Sequence, residues 1–190
     1  MFTPDYLRAK FDSALPYDAY LATGTAEQQR RWNDVAAKLA LTADQKTLLG
    51  GFTRVMPVLV VSGIWCGDCV AQCPMFDLIA GAAPNAVQLR FIDRDQHKDL
   101  SDQVRLNAGS RVPTVLFLAE DFELCGLYGD RTLARYRAIA TRQLGPSCPV
   151  GIVPPGDEEL AETVAEWVEE FERIQLMLRL SPRLRQKHGD

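Results

Sequence analysis

The chain has 190 residues, of which 47% are hydrophobic, and it carries a formal net charge of −4. This length and composition predict a well-buried core in one domain with additions. The acidic balance leaves no broad basic surface, so nucleic acid is not expected as a partner. No segment approaches the roughly 18 apolar residues of a membrane span, and the N-terminus lacks the pattern of a secretory signal, so no membrane association is expected.

Residues 1–54 are predicted to form a helical N-terminal extension. Each expected helix begins with a residue that can accept a hydrogen bond from a free backbone N–H, which is the usual start of a helix. A pair of glycines at the end of the region predicts where the helices stop. The start signals are Thr3-Pro4, Thr25-x-x-Gln28 and Thr42-x-x-Gln45.

Residues 55–145 alternate between strand and helix patterns, which predicts an α/β core. The first apolar run has the continuous hydrophobic character of a central strand that is covered on both faces. A later turn at Glu120-Asp121 predicts an antiparallel strand, and Asp130 is expected to cap the helix that follows. The predicted strands cover residues 56–62, 85–93, 114–118 and 122–128, and the predicted helices cover residues 66–79, 98–107 and 130–145.

Residues 146–190 are predicted to form a proline-rich strap followed by an amphipathic helix. The strap covers residues 146–156, and apolar residues then recur in steps of three or four through residues 157–180. This stripe is interpreted as a face that packs on the core rather than as a groove for a partner. The basic tail is interpreted as a solvated end; it comprises Arg179, Arg183, Arg185 and Lys187.

Two cysteines lie three residues apart where the first predicted strand ends. Cys66 would occupy the first turn of the following helix, where unpaired N–H groups and the helix dipole favour a thiolate. Cys69, almost one turn further on, could reach back to it. Such a pair suits disulfide exchange, because the first thiolate attacks a substrate disulfide and the second resolves the mixed disulfide.

Two segments carry a resemblance to the thioredoxin superfamily. Trp65-Cys66-x-x-Cys69, with Pro74 in the helix, resembles the active-site element of that superfamily. Arg111-Val112-Pro113-Thr114, just before an apolar run, is similar to its cis-proline loop. The resemblance implies a thioredoxin-like fold, a central mixed sheet flanked by helices, with added helices at both termini. It also implies a substrate-binding surface comprising Trp65, Val112, Pro113 and Gly129.

The residues between the two cysteines are expected to tune the chemistry. Gly67 allows a tight turn into the helix, whereas Asp68 occupies the place where thioredoxins proper usually carry Pro. A carboxylate here disfavours a thiolate at Cys66, which predicts a reducing couple. The chain also departs from thioredoxins proper at Val60, where they carry a buried Asp that assists the resolving thiol.

The remaining cysteines are given smaller roles. Cys73 lies one turn after Cys69 and is interpreted mainly as a small buried hydrophobe under the active site, with a third redox thiol as the alternative. Cys125 is expected in a strand without a chemical role, and Cys148 is a candidate for adventitious oxidation. A metal site at Cys66, Cys69 and Cys73 is a less favoured reading, because no further Cys or His pair completes it. His97 and His188 are interpreted as surface residues.

These patterns together predict a thiol–disulfide oxidoreductase that uses a redox-active Cys66–Cys69 disulfide and no other cofactor or metal. Its expected partners are a disulfide-containing protein or small thiol substrate, and a reductase or low-molecular-weight thiol as electron donor. The alternative is a redox-switched binding or sensor protein without turnover. The odd number of cysteines gives no disulfide framework and favours a reducing, cytoplasmic location.

Overall fold

The computed structural model describes residues 2–144 and 156–190. The strap predicted over residues 146–156 lies outside these residues except for Gly156, and Cys148 also lies outside them. The described residues form one four-stranded sheet and nine helices.

The four strands build a mixed sheet, which agrees with the predicted fold class. They are β1 (Met56–Ser62), β2 (Val87–Asp93), β3 (Thr114–Leu118) and β4 (Leu124–Gly129). The strand order is β2-β1-β3-β4, with β1 parallel to β2, and with β3 antiparallel to both β1 and β4. All seven residues of β1 are buried, because this strand has a neighbour at each edge and helices over the sheet.

The helices begin largely where the cap signals predict. They are α1 (Pro4–Ser13), α2 (Tyr17–Leu21), α3 (Ala26–Ala36), α4 (Ala43–Gly50), α5 (Gly67–Ala82), α6 (Lys98–Ser101), α7 (Leu133–Leu144), α8 (Asp157–Leu180) and α9 (Pro182–His188). At the start of α3, Thr25 accepts a hydrogen bond from the Gln28 N–H, and the Gln28 side chain accepts one from the Thr25 N–H. The same reciprocal cap starts α4 at Thr42 and Gln45. These caps satisfy backbone donors that a helix start would otherwise leave unpaired.

The N-terminal helices pack directly against the outer edge of the sheet. Leu15 pairs with Phe91 of β2 through two backbone hydrogen bonds of 2.8 and 2.7 Å. The ring of Tyr20 stacks on the ring of Phe91 with centroids 5.4 Å apart, and Trp32 is fully buried. The N-terminal region therefore contributes both main-chain pairing and apolar burial to the core.

The helix predicted over residues 98–107 is much shorter in the structure. Helix α6 ends at Ser101, and the chain then turns, with positive φ angles at Asn107 and Ala108. Leu106 and Gly109 close this turn through two backbone hydrogen bonds of 3.0 Å. The prediction of a helix up to residue 107 is therefore wrong, and the left-handed backbone at Asn107 and Ala108 belongs to the turn that follows α6.

Two predicted boundaries after β3 are also wrong. The strand expected from residue 122 begins at Leu124, because Phe122 has a φ of 68° and forms a turn with Ala119. The following helix is capped by Thr132, which accepts a hydrogen bond from the Arg135 N–H, and not by Asp130. Asp130 lies before the helix and is buried among arginines instead.

Helix α8 lays its apolar stripe on the sheet and on α5. The ring of Phe171 meets that of Phe117 of β3 edge to face, with centroids 5.1 Å apart. The ring of Trp167 contacts that of Phe76 of α5 in the same way, with centroids 4.5 Å apart. The buried apolar side chains of the stripe are Leu160, Val164, Trp167, Val168, Phe171, Ile174 and Leu178.

The basic tail is part of the folded structure, and this corrects its interpretation as a solvated end. Helix α9 buries Leu184 and places its cations against the acidic turn after β3. Arg183 pairs with Asp121, and Lys187 and His188 pair with Glu120. The tail is therefore held by opposite charge on the turn that joins β3 to β4.

Candidate active site

The dithiol lies where β1 ends and α5 begins. Cys66 is the N-cap residue of α5, in an extended conformation with φ −77° and ψ 128°. The loop before it is fixed from the N-terminal side, because the indole N–H of Trp32 donates a hydrogen bond of 3.0 Å to the Ile64 carbonyl. The sequence pattern predicts Cys66 at the start of a helix. The hydrogen bond from Trp32 to the loop before Cys66 was not predicted.

Cys66 is partly exposed and faces the loop that contains Pro113. Its thiol donates to the Val112 carbonyl at a distance of 3.5 Å, and the Val112–Pro113 peptide bond is cis. The contact with Cys69 and burial raise the pKa of the Cys66 thiol, whereas backbone N–H groups of Asp68 and Cys69 act in the opposite direction. The structure thus brings together three of the predicted site residues, namely Cys66, Val112 and Pro113.

Cys69 is fully buried directly behind Cys66. The Gly63 N–H donates to its sulfur at 3.4 Å, and burial raises the pKa of the Cys69 thiol well above its ordinary value. One turn further, Cys73 is also fully buried, and its sulfur lies 3.6 Å from the Ser62 hydroxyl oxygen. Cys66 is therefore the accessible thiol of the pair, and Cys69 can be reached through it.

The position of the buried acid of thioredoxins proper is apolar in this chain. Val60 is fully buried within β1, between Phe91 of β2 and Val115 of β3. The polar groups beneath the dithiol are instead the Ser62 hydroxyl and the Cys73 thiol. The neutral Ser62 hydroxyl and Cys73 thiol are thus the side chains that act with Cys66 on the pKa of the Cys69 thiol.

Asp68 is paired, and this changes the prediction made from its charge. One carboxylate oxygen accepts a hydrogen bond of 2.6 Å from Arg131, and the other accepts bonds of 3.2 and 3.3 Å from Arg135. The assumption of an isolated negative charge beside Cys66 is wrong, because two guanidinium groups face that charge. The expectation of a reducing couple then depends on the burial of the two thiols and on the contact with Cys69, which raises the pKa of the Cys66 thiol.

Gly129 supports the proline loop at close range. Its φ is 152°, and a Cβ built on it would lie 2.5 Å from the Pro113 carbonyl oxygen. Only glycine allows two backbones to approach so closely at this backbone angle. The structure therefore places Gly129 behind the predicted substrate-binding loop, where it sets the position of Pro113.

Replacing Gly129 with Ala is expected to displace the Pro113 loop and to reduce the rate of the predicted disulfide exchange about tenfold or more. A displacement of about 1 Å between reacting groups can lower a reaction rate about 10²-fold. The variant should still be folded. Activity and the thermal unfolding midpoint would be measured together, with Gly81→Ala as control, because a Cβ at Gly81 meets nothing within 4 Å. An active Gly129→Ala protein would contradict this role.

Trp65 forms an exposed aromatic surface beside Cys66. Its side chain is 45% exposed, and the guanidinium of Arg94 lies 4.6 Å from the ring centroid. Arg94 is in turn fixed by a hydrogen bond of 3.1 Å to the Ser110 carbonyl, in the segment before the proline loop. A large exposed ring next to Cys66 is suited to contact with a bound molecule.

Three polar residues in or beside the dithiol helix were not predicted from the sequence. Arg131 and Arg135 pair with Asp68, and Gln72 donates a hydrogen bond of 2.8 Å to the Asp130 carbonyl. The only sequence signal was the position of Gln72 between Cys69 and Cys73. Ion pairs that join residues more than sixty positions apart leave no local pattern.

The alternative of a metal site finds no support in the geometry. Within residues 2–144 and 156–190, no group of three or more His, Cys, Asp or Glu side chains is arranged to hold a metal ion. Cys125 lies on β4, and His188 pairs with Glu120, far along the chain from the dithiol.

Over the same described residues, each helix is too short or too polar to cross a membrane.

The mixed sheet and the added helices define a thioredoxin-like protein. Residues 14–142 match the family model described as Thioredoxin, and the chain belongs to this family. The match begins within the N-terminal helical region, well before the segment in which the sequence motifs occur.

Two solved structures share the fold over most of the chain. A Pseudomonas aeruginosa protein of unknown function has a TM-score of 0.69 and 22% identity, with 92% of this chain and 97% of that chain covered. An HIV epitope-scaffold has a TM-score of 0.66 and 22% identity, with 86% and 93% covered. At this identity the likeness shows the fold alone. No curated protein is significantly similar to the chain.

Proposed function

We propose that the protein is a thiol–disulfide oxidoreductase that uses Cys66 as nucleophile and Cys69 as resolving thiol. The observation that carries this proposal is the position of Cys66, a partly exposed residue at the start of α5 whose sulfur lies 3.5 Å from the carbonyl before cis Pro113. Membership of the thioredoxin family supports a redox-related role. Because one fold can support many different reactions, the geometry of the dithiol carries more weight here than the fold.

The proposed reaction transfers two electrons from the dithiol to a substrate disulfide. The Cys66 thiolate attacks one substrate sulfur, which forms a mixed disulfide and releases the other substrate sulfur as a thiolate. Cys69 then loses its proton and attacks the Cys66 sulfur, which forms the Cys66–Cys69 disulfide and releases the second substrate sulfur. The two released thiolates take up the two protons that the dithiol gives up.

A disulfide-containing protein or a small disulfide is the proposed substrate, and the Trp65 ring and the Val112–Pro113 backbone are its proposed binding surface. The cycle closes when a reductase or a low-molecular-weight thiol returns two electrons to the Cys66–Cys69 disulfide. No other cofactor is required by this chemistry. We place the reaction in the cytoplasm, since its dithiol form needs a reducing environment.

The direction of the reaction follows from how poorly the site stabilises a thiolate. The contact with Cys69 and burial raise the pKa of the Cys66 thiol, and burial raises that of the Cys69 thiol although the contact with Cys66 acts in the opposite direction. Because a strong oxidant needs a stabilised thiolate in its reduced form, this site favours the disulfide form and acts as a reductant.

The reduction potential of the Cys66–Cys69 pair tests the proposal. The protein would be equilibrated in glutathione and dithiothreitol buffers and its free thiols counted. We expect a value near that of reducing thioredoxins, about −270 mV. A value between about −120 and −180 mV would instead indicate an oxidase or isomerase. Failure to form any Cys66–Cys69 disulfide would overturn the proposal.

A redox switch without turnover is the second candidate, and the apolar Val60 position favours it. A resolving thiol that is fully buried, with Val60 where thioredoxins proper carry an acid, would regenerate slowly. Multiple turnovers with a small disulfide and excess dithiothreitol distinguish the two functions. A single stoichiometric oxidation that changes the binding of a partner would support the switch.

A further inference from the structure

Charged side chains connect the active-site helix to the C-terminal helix. The cluster lies between α5, α7 and α8 and contains two carboxylates and three guanidinium groups. Its members, here called the charge cluster, are Asp68, Arg131, Arg135, Arg142 and Glu159.

Arg135 stands at the centre of the charge cluster. It contacts Asp68 at 3.2 Å on one side and Glu159 of α8 at 2.6 Å on the other. Glu159 also pairs with Arg142 at 2.7 Å. The Arg135 and Glu159 side chains are only 6% and 9% exposed, so solvent screens their interactions weakly. Burial raises the pKa of Glu159, but hydrogen bonds from Arg142 and Arg135 outweigh it and keep that pKa below its ordinary value.

We propose that Glu159 is a positioning residue for the dithiol: it shares the charge of Arg135 with Asp68 and so sets how fully Asp68 is neutralised beside Cys66. Asp68 lies between the two cysteines in the chain and its backbone N–H already lowers the pKa of the Cys66 thiol, so a residual charge on its side chain would act on the Cys66 thiolate as well. Helix α8 thereby adjusts the reactivity of the site from outside the Cys-x-x-Cys motif. The inference deepens the proposed function and rests on it for its biological meaning.

The other charged groups near this site have partners of their own, and Glu166 of α8 accepts a hydrogen bond of 2.9 Å from the Ala134 N–H. Asp130 accepts hydrogen bonds from Arg111 and Tyr136, and Arg131 lies 3.8 Å from its carboxylate. These pairs do not include Glu159. Arg135 is therefore the route by which a charge on α8 reaches Asp68.

Replacing Glu159 with Gln keeps the size of the side chain and removes its charge. Asp68 would then be the only charged partner of Arg135, and the net charge near Cys66 would become more positive. The Cys66 thiolate would be stabilised and its population at neutral pH would rise. A tenfold larger thiolate population gives only about threefold faster reaction, because nucleophilicity falls as the pKa falls.

The test measures the alkylation rate of Cys66 by iodoacetamide at pH 7, with the modified site identified by mass spectrometry. We expect Glu159→Gln to accelerate alkylation about twofold and Asp68→Asn to accelerate it about threefold. The matched control is Glu162→Gln, which removes the same charge from an exposed position on α8 and should leave the rate unchanged. Both the reduction potential and the thermal midpoint of each variant would be measured.

A second background tests the route through Arg135. In an Arg135→Gln protein, adding Glu159→Gln should give no further acceleration. An unchanged or slower rate in the Glu159→Gln protein would overturn the proposal, as would equal acceleration in the Glu162→Gln control or in the Arg135→Gln background. Alkylation requires no turnover, so this result is independent of whether the Cys66–Cys69 disulfide forms and the proposed function holds.

Discussion

Replacing Cys66 with Ser is expected to reduce disulfide reduction to the uncatalysed background, whereas replacing Cys69 with Ser is expected to stop the reaction at the mixed disulfide. The reason is their different exposure, since Cys66 is partly exposed and Cys69 is fully buried behind it. A serine hydroxyl is not ionised at neutral pH and cannot replace the attacking thiolate. Reduction of a chromogenic aromatic disulfide would give the rate, and intact mass would detect the trapped adduct.

The control for this experiment is Cys125→Ser, because Cys125 lies on β4 and takes no part in the proposed mechanism. It should retain the full rate. Undiminished activity in the Cys66→Ser protein would contradict the mechanism. A trapped adduct on Cys66→Ser rather than on Cys69→Ser would reverse the assigned roles of the two thiols.

Replacing Trp167 with Ala is expected to lower the free energy of unfolding by about 3–5 kcal/mol, which is the usual cost of truncating a buried aromatic side chain. Trp167 is fully buried, and its ring contacts those of Phe76 and Tyr128, with centroids 4.5 and 5.0 Å away. Its indole N–H also donates a hydrogen bond of 3.1 Å to the Gln72 side chain. Denaturant unfolding followed by fluorescence and circular dichroism would measure the change.

Two further variants make this prediction specific to the buried face of α8. Leu176 lies on the same helix and is 46% exposed, so Leu176→Ala should change stability by less than about 0.5 kcal/mol. Trp167→Phe should cost less than Trp167→Ala, since it keeps most of the packing and loses the bond to Gln72. Equal stability of Trp167→Ala and the wild type would show that α8 does not contribute to the core in solution.

The sequence predicted the parts of the site that depend on local chemistry. The position of Cys66 at the start of a helix follows from a strand pattern that ends just before it, and Pro113 directly precedes a strand that could be seen as an apolar run. The central strand was equally clear, because its continuous hydrophobic pattern is typical of a strand covered on both faces. These predictions needed only neighbouring residues.

The errors came from features that depend on backbone conformation or on distant partners. Residues 98–107 have the composition of a helix, but the positive φ angles at Asn107 and Ala108 belong to a turn that composition does not reveal. Asp130 is a residue type that commonly caps helices, but its carboxylate forms an ion pair with Arg111 instead. The pairing of Asp68 with Arg131 and Arg135 likewise requires the fold to be known, so its charge could not be judged from the sequence.

The bond from Trp32 to the Ile64 carbonyl has a consequence for how short a working form of this protein could be. The carbonyl it reaches lies two residues before Cys66, and the same N-terminal region completes the outer edge of the sheet through Leu15. Cutting the chain at residue 54, where the predicted α/β core begins, would remove this hydrogen bond from the loop before Cys66 and expose Phe91 to water. The sheet with its dithiol loop and the N-terminal helices are thus one folding unit, and a shorter fragment that keeps the dithiol in place has to include both.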